Sequence, residues 1–234
     1  MKKVLILFSV LLSFDAYSQR KDFLVTLTTS KGKAHIILYD ETPIHKANFL
    51  KLANEKFYDS LLFHRVIEKF MIQGGDPNSK KAAPGARLGS GGSNMERLPY
   101  EFVSTRVHKK GALAAARDNN PEKKSSGCQF YIVQGRKFSD EELTKNERNN
   151  NIIYTPQQRA DYIALGGTPF LDNKYTVFGE VLDNLDLIDE IVAVQKDEAD
   201  RPVEDITMSI TVKKMRKKKI SKLYGYKFEK KNKP

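Results

Sequence analysis

The chain is poor in groups that break covalent bonds or hold metals. Its single cysteine, Cys128, cannot form a disulfide within the chain, and its place inside the strand-like run CQFYIVQ marks it as a small buried residue. The four histidines, His35, His45, His64 and His108, show no ligand spacing with one another or with that cysteine, so no metal and no cofactor is implied. Tryptophan is absent, and with it any indole N–H for a ligand to accept from. The glycine-rich stretch 85–92 lacks the Gly-Lys-Ser/Thr of a phosphate loop and leads into no helix. Long apolar runs are missing too: residues 4–14 make a stretch of about 11, where a bilayer span needs ~20.

Positive charge is missing where nucleic acid would need it. The formal net charge is +11, but residues 213–234 hold eleven Lys or Arg against the single Glu229, and Lys2, Lys3 and Asp15 net +1, which leaves residues 19–212 neutral. A nucleic-acid surface needs its cations on the folded body. No specific nucleic acid is therefore expected as a partner.

What is present suits one main globular domain, with 40% hydrophobic and 29% charged residues. The ends differ from the body. Residues 1–18 combine Lys2 and Lys3, a short apolar run and Ala16-Tyr17-Ser18, the layout of a cleaved secretory signal that would leave Gln19 first. No cysteine follows the run for lipid attachment, so a soluble exported protein is expected, periplasmic in a Gram-negative cell. The basic tail, 213–234, interleaves lysines with Tyr224, Tyr226 and Phe228. Two readings stand: a disordered, solvated end, or a segment that holds an anionic surface.

Within residues 19–212 the patterning is mainly β. Alternation around Lys31-Gly32 predicts a hairpin over 23–40, and further strands are predicted at 61–67, 70–73, 111–115, 129–133, 176–181 and 206–212. Thr42-Pro43 opens a helix with Phe49, Leu50, Leu52 and Ala53 at helical spacing, and 184–194 reads as a second helix capped by Asp183 or Asn184. Eight strands and two amphipathic helices suit a closed antiparallel barrel capped at its ends. Residues 136–167 form a polar insertion with Ser139/Glu142 as a capping box, a second start at Thr155-Pro156 and a stop at Gly166-Gly167. It reads as a helical hairpin, either a lid beside a groove or a solvated decoration.

Two stretches carry the function: FHRVIEKFMIQGGD from Phe63 and SSGCQFYIVQG from Ser125. They hold an arginine, glutamines and large apolar side chains but no general base, nucleophile or metal cluster, equipment for turning a bond without breaking one. With GALAAARDN from Gly111 and PFLDNKYTVFGEV from Pro169, in the same order, they resemble the cyclophilin family of peptidyl-prolyl cis-trans isomerases. The resemblance implies a cyclophilin-like barrel, proline-containing polypeptides as substrate, and Arg65 as the donor to the twisted proline nitrogen. It implies Gln73 as a partner of Arg65 or of the substrate backbone. Phe70, Met71, Tyr131 and Leu171 would form the proline cup, with Phe170 and Tyr175 on its rim, Gln129 beside it, and the main chain of Ala116 and Arg117 pairing with the extended peptide.

Strand periodicity separately puts Gln129, Tyr131 and Val133 on one face and Phe130 and Ile132 on the other. Three positions depart from the commonest family pattern: Phe170 for Trp, Tyr175 for His and Tyr131 for Phe. All keep aromatic bulk, while the lost indole donor implies weak cyclosporin binding. Arg117 replaces a small polar residue and adds charge beside the groove. The sequence thus points to an exported, monomeric isomerase assisting folding; the alternative is a peptide-binding module or holdase using the same groove with little turnover.

Overall fold

Alternation of side chains builds one long antiparallel sheet with two apolar faces. The structure is a computed structural model that describes residues 20–229, so the predicted signal at 1–18 lies outside the described residues. Its strands are β1 (Lys21–Thr29), β2 (Gly32–Leu38), β3 (Leu61–Leu62), β4 (Arg65–Ile67), β5 (Met71–Gly74), β6 (Ala112–Ala115), β7 (Phe130–Val133), β8 (Val177–Val181) and β9 (Thr207–Arg216). They follow the order β3-β9-β1-β2-β8-β6-β7-β5-β4.

The expected single strand over 61–67 is split in two, which makes nine strands instead of eight. The chain bends at Phe63 and His64: the Phe63 N–H donates to Ile206 O at 2.9 Å on the β9 side, and the His64 N–H to Gln73 O at 3.0 Å on the β5 side. One bent segment therefore brings the two ends of the curled sheet together.

Inside the curl, Leu27, Ile36, Leu113, Phe130 and Ile132 pack with Phe49, Leu52 and Ala53 of α1 (Pro43–Asn54) and Leu187, Ile188, Ile191 and Val192 of α4 (Asp186–Val192). Both helices thus cover the interior, as their apolar spacing requires. Their caps differ from expectation. The N–H groups of Ile44 and His45 are satisfied by the distant Glu101 carboxylate, at 3.0 and 2.9 Å, and the Thr42 side chain makes no cap bond. Asp183 bonds the main chain and Nδ1 of His35, Asn184 donates to Lys33 O, and Leu185 stands at the α4 N-cap.

The opposite face of the sheet is also apolar. Leu24, Ile37, Met71, Ala114, Tyr131 and Val177 form a second layer, and part of it is covered by the tail. β9 does not stop at the expected boundary after Val212 but stays paired with β1 as far as Lys21↔Arg216. It runs directly into α5 (Lys217–Tyr224), whose Ile220 is fully buried, and Tyr224, Tyr226 and Phe228 pack on the same layer. The lysine run had concealed this spacing of apolar residues. Lys217 contributes by reaching Asp40 at 3.0 Å.

The insertion folds as two helices, α2 (Asp140–Asn150) and α3 (Pro156–Ala164), each opened by a complete capping box, Ser139/Glu142 and Thr155/Gln158. Leu143, Tyr154 and Tyr162 make a third small core with Val107. The chain enters and leaves through a narrow neck where Arg136 and Gly167 exchange main-chain hydrogen bonds of 3.2 and 3.0 Å. Gly135 is required there: its φ is +65°, and a Cβ would sit 2.2 Å from Gly167 O. Among the described residues no helix is long and apolar enough to cross a membrane.

Two buried histidines make this fold sensitive to acid. Burial holds the His64 ring down at about 4. Burial also lowers His45, against the opposing pull of Glu101 on its Nδ1 at 2.6 Å. Below the ordinary histidine value of about 6.5 the unfolded chain takes up protons that the folded chain refuses, so stability present above that pH is lost as pH falls toward 4. For His64 the loss approaches about 3 kcal/mol at pH 4. Urea melts between pH 7 and 4 check this, with His64→Gln expected to flatten the profile; coincident profiles for parent and variant would refute it.

Candidate active site

The β4–β5 hairpin sets Arg65 directly across from Gln73. Val66 and Ile72 point into the core between them, so Arg65 and Gln73 face the other way. Arg65 Nη1 donates to Gln73 Oε1 at 3.3 Å, Gln73 Nε2 donates to Gln129 Oε1 at 3.0 Å, and Gln129 Nε2 donates to the carbonyls of Gly89 and Gly91 at 3.0 and 2.9 Å. This chain of amides fixes which end of each glutamine points where. Gln73 therefore orients Arg65, one of its two expected roles.

The glycine-rich loop is held from its other side by Asp76, which is fully buried and accepts from the N–H groups of Asn78, Gly89 and Gly91. A Cβ at Gly91 would lie 1.8 Å from Asp76 Oδ1, so only glycine fits. Asp76 stands inside the motif that gave the site away, yet its side chain faces the loop and not the cup. Its role was not foreseen.

Beside Arg65 opens a cavity of about 420 Å³ walled by Phe70, Met71, Tyr131, Leu171 and Tyr175, with Ala116 and Arg117 at one side. Met71, Tyr131 and Leu171 are buried, and Tyr175 meets Tyr131 edge-on at 6.1 Å. Phe170 is 46% exposed and stacks on Phe70 at 6.0 Å, outside the cavity wall, as a rim residue would. The expected cup residues are thus brought together. A second cavity of about 350 Å³ lies beyond Ala116 and Arg117, bounded by Gly91, Arg97, Asp118 and Ser126.

One expectation at the groove needs correction. The Ala116 N–H already donates to Gln129 O at 3.0 Å and its carbonyl accepts from Ser126 at 2.8 Å, so it has no N–H to offer a peptide. Among the described residues the main chain of Arg117 has no such partner. The Arg117 side chain is also committed: Nε donates to Lys174 O at 3.2 Å, Nη1 to Asp118 O at 3.0 Å, and the guanidinium lies 4.6 Å above the Tyr175 ring. It forms a wall between the two cavities, beside the groove as expected.

Behind the cup lies a buried polar group that no periodicity announced. The Tyr131 hydroxyl meets His108 Nε2 at 3.0 Å, and His108 Nδ1 meets Asp172 at 2.7 Å. A lone histidine and a lone aspartate carry no spacing signal; only the polar edge of Tyr131, where the family usually has Phe, hinted at a partner.

A curled antiparallel sheet carrying an arginine beside an apolar, aromatic-walled cup defines a proline-binding rotamase. The chain matches the family described as "Cyclophilin type peptidyl-prolyl cis-trans isomerase/CLD" over residues 24–212 and belongs to that family; its reaction is rotation about the Xaa-Pro bond of proline-containing peptides. It is 33% identical over 183 residues to a Staphylococcus saprophyticus protein provisionally named a peptidyl-prolyl cis-trans isomerase, covering 77% of this chain and 86% of that one. The Staphylococcus aureus (strain COL) counterpart is 32% identical over 194 residues, with 81% and 91% covered. A Streptococcus pyogenes protein provisionally named a bifunctional phosphatase/isomerase is 37% identical over 187 residues, but the chain spans only 37% of its length.

Solved structures agree on the fold. The cyclophilin-type isomerase of Cryptosporidium parvum, crystallised in the presence of the dipeptide Ala-Pro, gives a TM-score of 0.58 at 21% identity over 81% of this chain and 98% of that one. Cyclophilin AquaCyp293 from Hirschia baltica gives 0.54 at 20% identity, covering 80% and 73%.

Proposed function

We propose that this isomerase assists the folding of exported proteins and that Arg65 is its central catalytic residue. A planar Xaa-Pro amide is protected by a barrier of roughly 20 kcal/mol, because the nitrogen lone pair is delocalised into the carbonyl. In the twisted state that lone pair returns to nitrogen and becomes a good acceptor. A guanidinium aimed at it favours the twisted state over the planar one, which is differential binding of the transition state. Phe70, Met71, Tyr131 and Leu171 grip the proline ring while the acyl side turns, and the Arg117 main chain pairs with the peptide.

The observation that carries this reading is Arg65 held to Gln73 at the mouth of the cup. A holdase using the groove for capture alone has no use for a donor so positioned. The test is cis-to-trans isomerisation of a short Xaa-Pro peptide by the full chain. Acceleration over the uncatalysed rate supports turnover, and its absence leaves a binding module.

Export rests on the composition of residues 1–18, and cell fractionation tests it. The proposal extends to a monomer whose tail meets an anionic surface. Lys218, Lys219 and Lys222 stand exposed on α5 with no acidic partner among the described residues, beside the exposed Leu223. Salt-sensitive binding to anionic lipid vesicles, and none to neutral ones, is the expected result; equal binding to both would refute it.

A further inference from the structure

The geometry points to a role for the insertion in catalysis: Tyr154 and Tyr162 are positioning residues that hold the floor of the proline cup through Asp172, His108 and the Tyr131 hydroxyl. This inference rests on the reading of Tyr131 as part of the cup.

The connection is continuous and buried. Asp172 Oδ2 accepts from the hydroxyls of Tyr154 and Tyr162 at 2.7 and 2.6 Å, while Oδ1 accepts from the main-chain N–H and the Nδ1 of His108 at 2.8 and 2.7 Å. Four donors fill the four acceptor positions that a carboxylate offers. A carboxylate cannot donate, so the proton on the His108 ring sits on Nδ1. Whenever that ring is neutral, Nε2 is an acceptor and the Tyr131 hydroxyl, 3.0 Å away, is its donor. His108 and Tyr162 are fully buried, and Tyr131, Tyr154 and Asp172 are 4–5% exposed. Burial pushes all three tyrosine hydroxyls up, and the Asp172 charge adds to this, so each remains a protonated donor.

Two features say that this is positioning and not general packing. The relay ends on the ring that lines the cup, and that ring is a tyrosine whose hydroxyl has no other partner among the described residues. The insertion itself stays out of the cup: its residues pack behind the 168–175 turn, where Asn146 Nδ2 donates to Pro169 O at 3.2 Å and Lys174 Nζ donates to Asn150 Oδ1 at 2.6 Å. The insertion is therefore a buttress, neither the lid nor the solvated decoration that its sequence left open. Removing both tyrosine hydroxyls strips the buried Oδ2 of its donors, and the carboxylate must shift or draw in water, which loosens His108 and the ring it holds.

The experiment uses the full chain carrying Tyr154→Phe and Tyr162→Phe together, with ¹³Cζ-tyrosine labelling. Expected are a fall in kcat/KM of about 3- to 10-fold, the worth of one hydrogen bond, and a displaced Tyr131 ring signal. In a Tyr131→Phe background the same pair of changes is expected to alter the rate less than about twofold, because the connection is already cut. Full activity in the double variant, an unmoved Tyr131 signal, or losses that multiply would each overturn the proposal. Should the double variant fail to fold, Tyr154→Phe alone, at the more exposed tyrosine, provides the same spectral readout. Arg65→Ala run in parallel keeps the two readings apart: loss there with none in the tyrosine variants removes the relay and leaves the cup, while the Tyr131 signal decides the relay whichever way Arg65 falls.

Discussion

Arg65→Ala is expected to lower kcat/KM on an Xaa-Pro peptide by about 10²-fold or more, the usual cost of removing a donor that acts mainly on the transition state. The fold should survive, because Arg65 points away from the core and its only side-chain bond among the described residues is to Gln73. The loss should fall on kcat more than on KM, since the apolar cup that grips the ring is untouched. Arg65→Lys separates charge from geometry: a lysine keeps the cation but not the planar fork that Gln73 orients, so only part of the rate should return. Peptide binding measured on Arg65→Ala completes the test. Retained binding with lost turnover fits the proposed role, and retained turnover removes it.

Deleting residues 217–234 is expected to destabilise the domain by something on the order of 5 kcal/mol, a large share of ordinary domain stability. Ile220 alone is fully buried, and replacing such a residue by alanine costs roughly 2–5 kcal/mol. The deletion also uncovers the layer formed by Leu24, Ile37 and Tyr39 and removes the Lys217 N–H bond to Arg20 O at 2.9 Å. Thermal melts of the parent, Ile220→Ala and the deletion should fall in that order. Coincident melts would mean that the tail only rests on the barrel. An activity assay on residues 19–212 would accordingly report on a weakened domain, so charge changes on the exposed face of α5 are the sounder probe of tail binding.

These two predictions mark where the sequence was legible and where it was not. Period-two alternation in FYIV placed Tyr131 and Val133 on one face and Phe130 and Ile132 on the other, and the structure sorts them into its two apolar layers that way. Motif resemblance gathered the cup residues. Neither signal reaches main-chain bonds, so the loss of Ala116 as a peptide partner was invisible. Charge density hid the apolar spacing of Ile220 and Tyr224. His108 and Asp172 are isolated polar residues whose partners arrive from 10 to 64 positions away, a separation that no local pattern encodes.

The narrow neck at Arg136 and Gly167 has a consequence for how such a chain can change over generations. Because the backbone leaves and rejoins the barrel at one paired residue, the intervening stretch behaves as a cassette. Its length is uncoupled from the register of β7 and β8, and the closure cost of a longer version grows only with the logarithm of that length. A lineage can therefore enlarge, trim or exchange the cassette while the rotamase beneath it keeps its shape, and a few well-placed hydroxyls are enough to give the newcomer a hold on the catalyst.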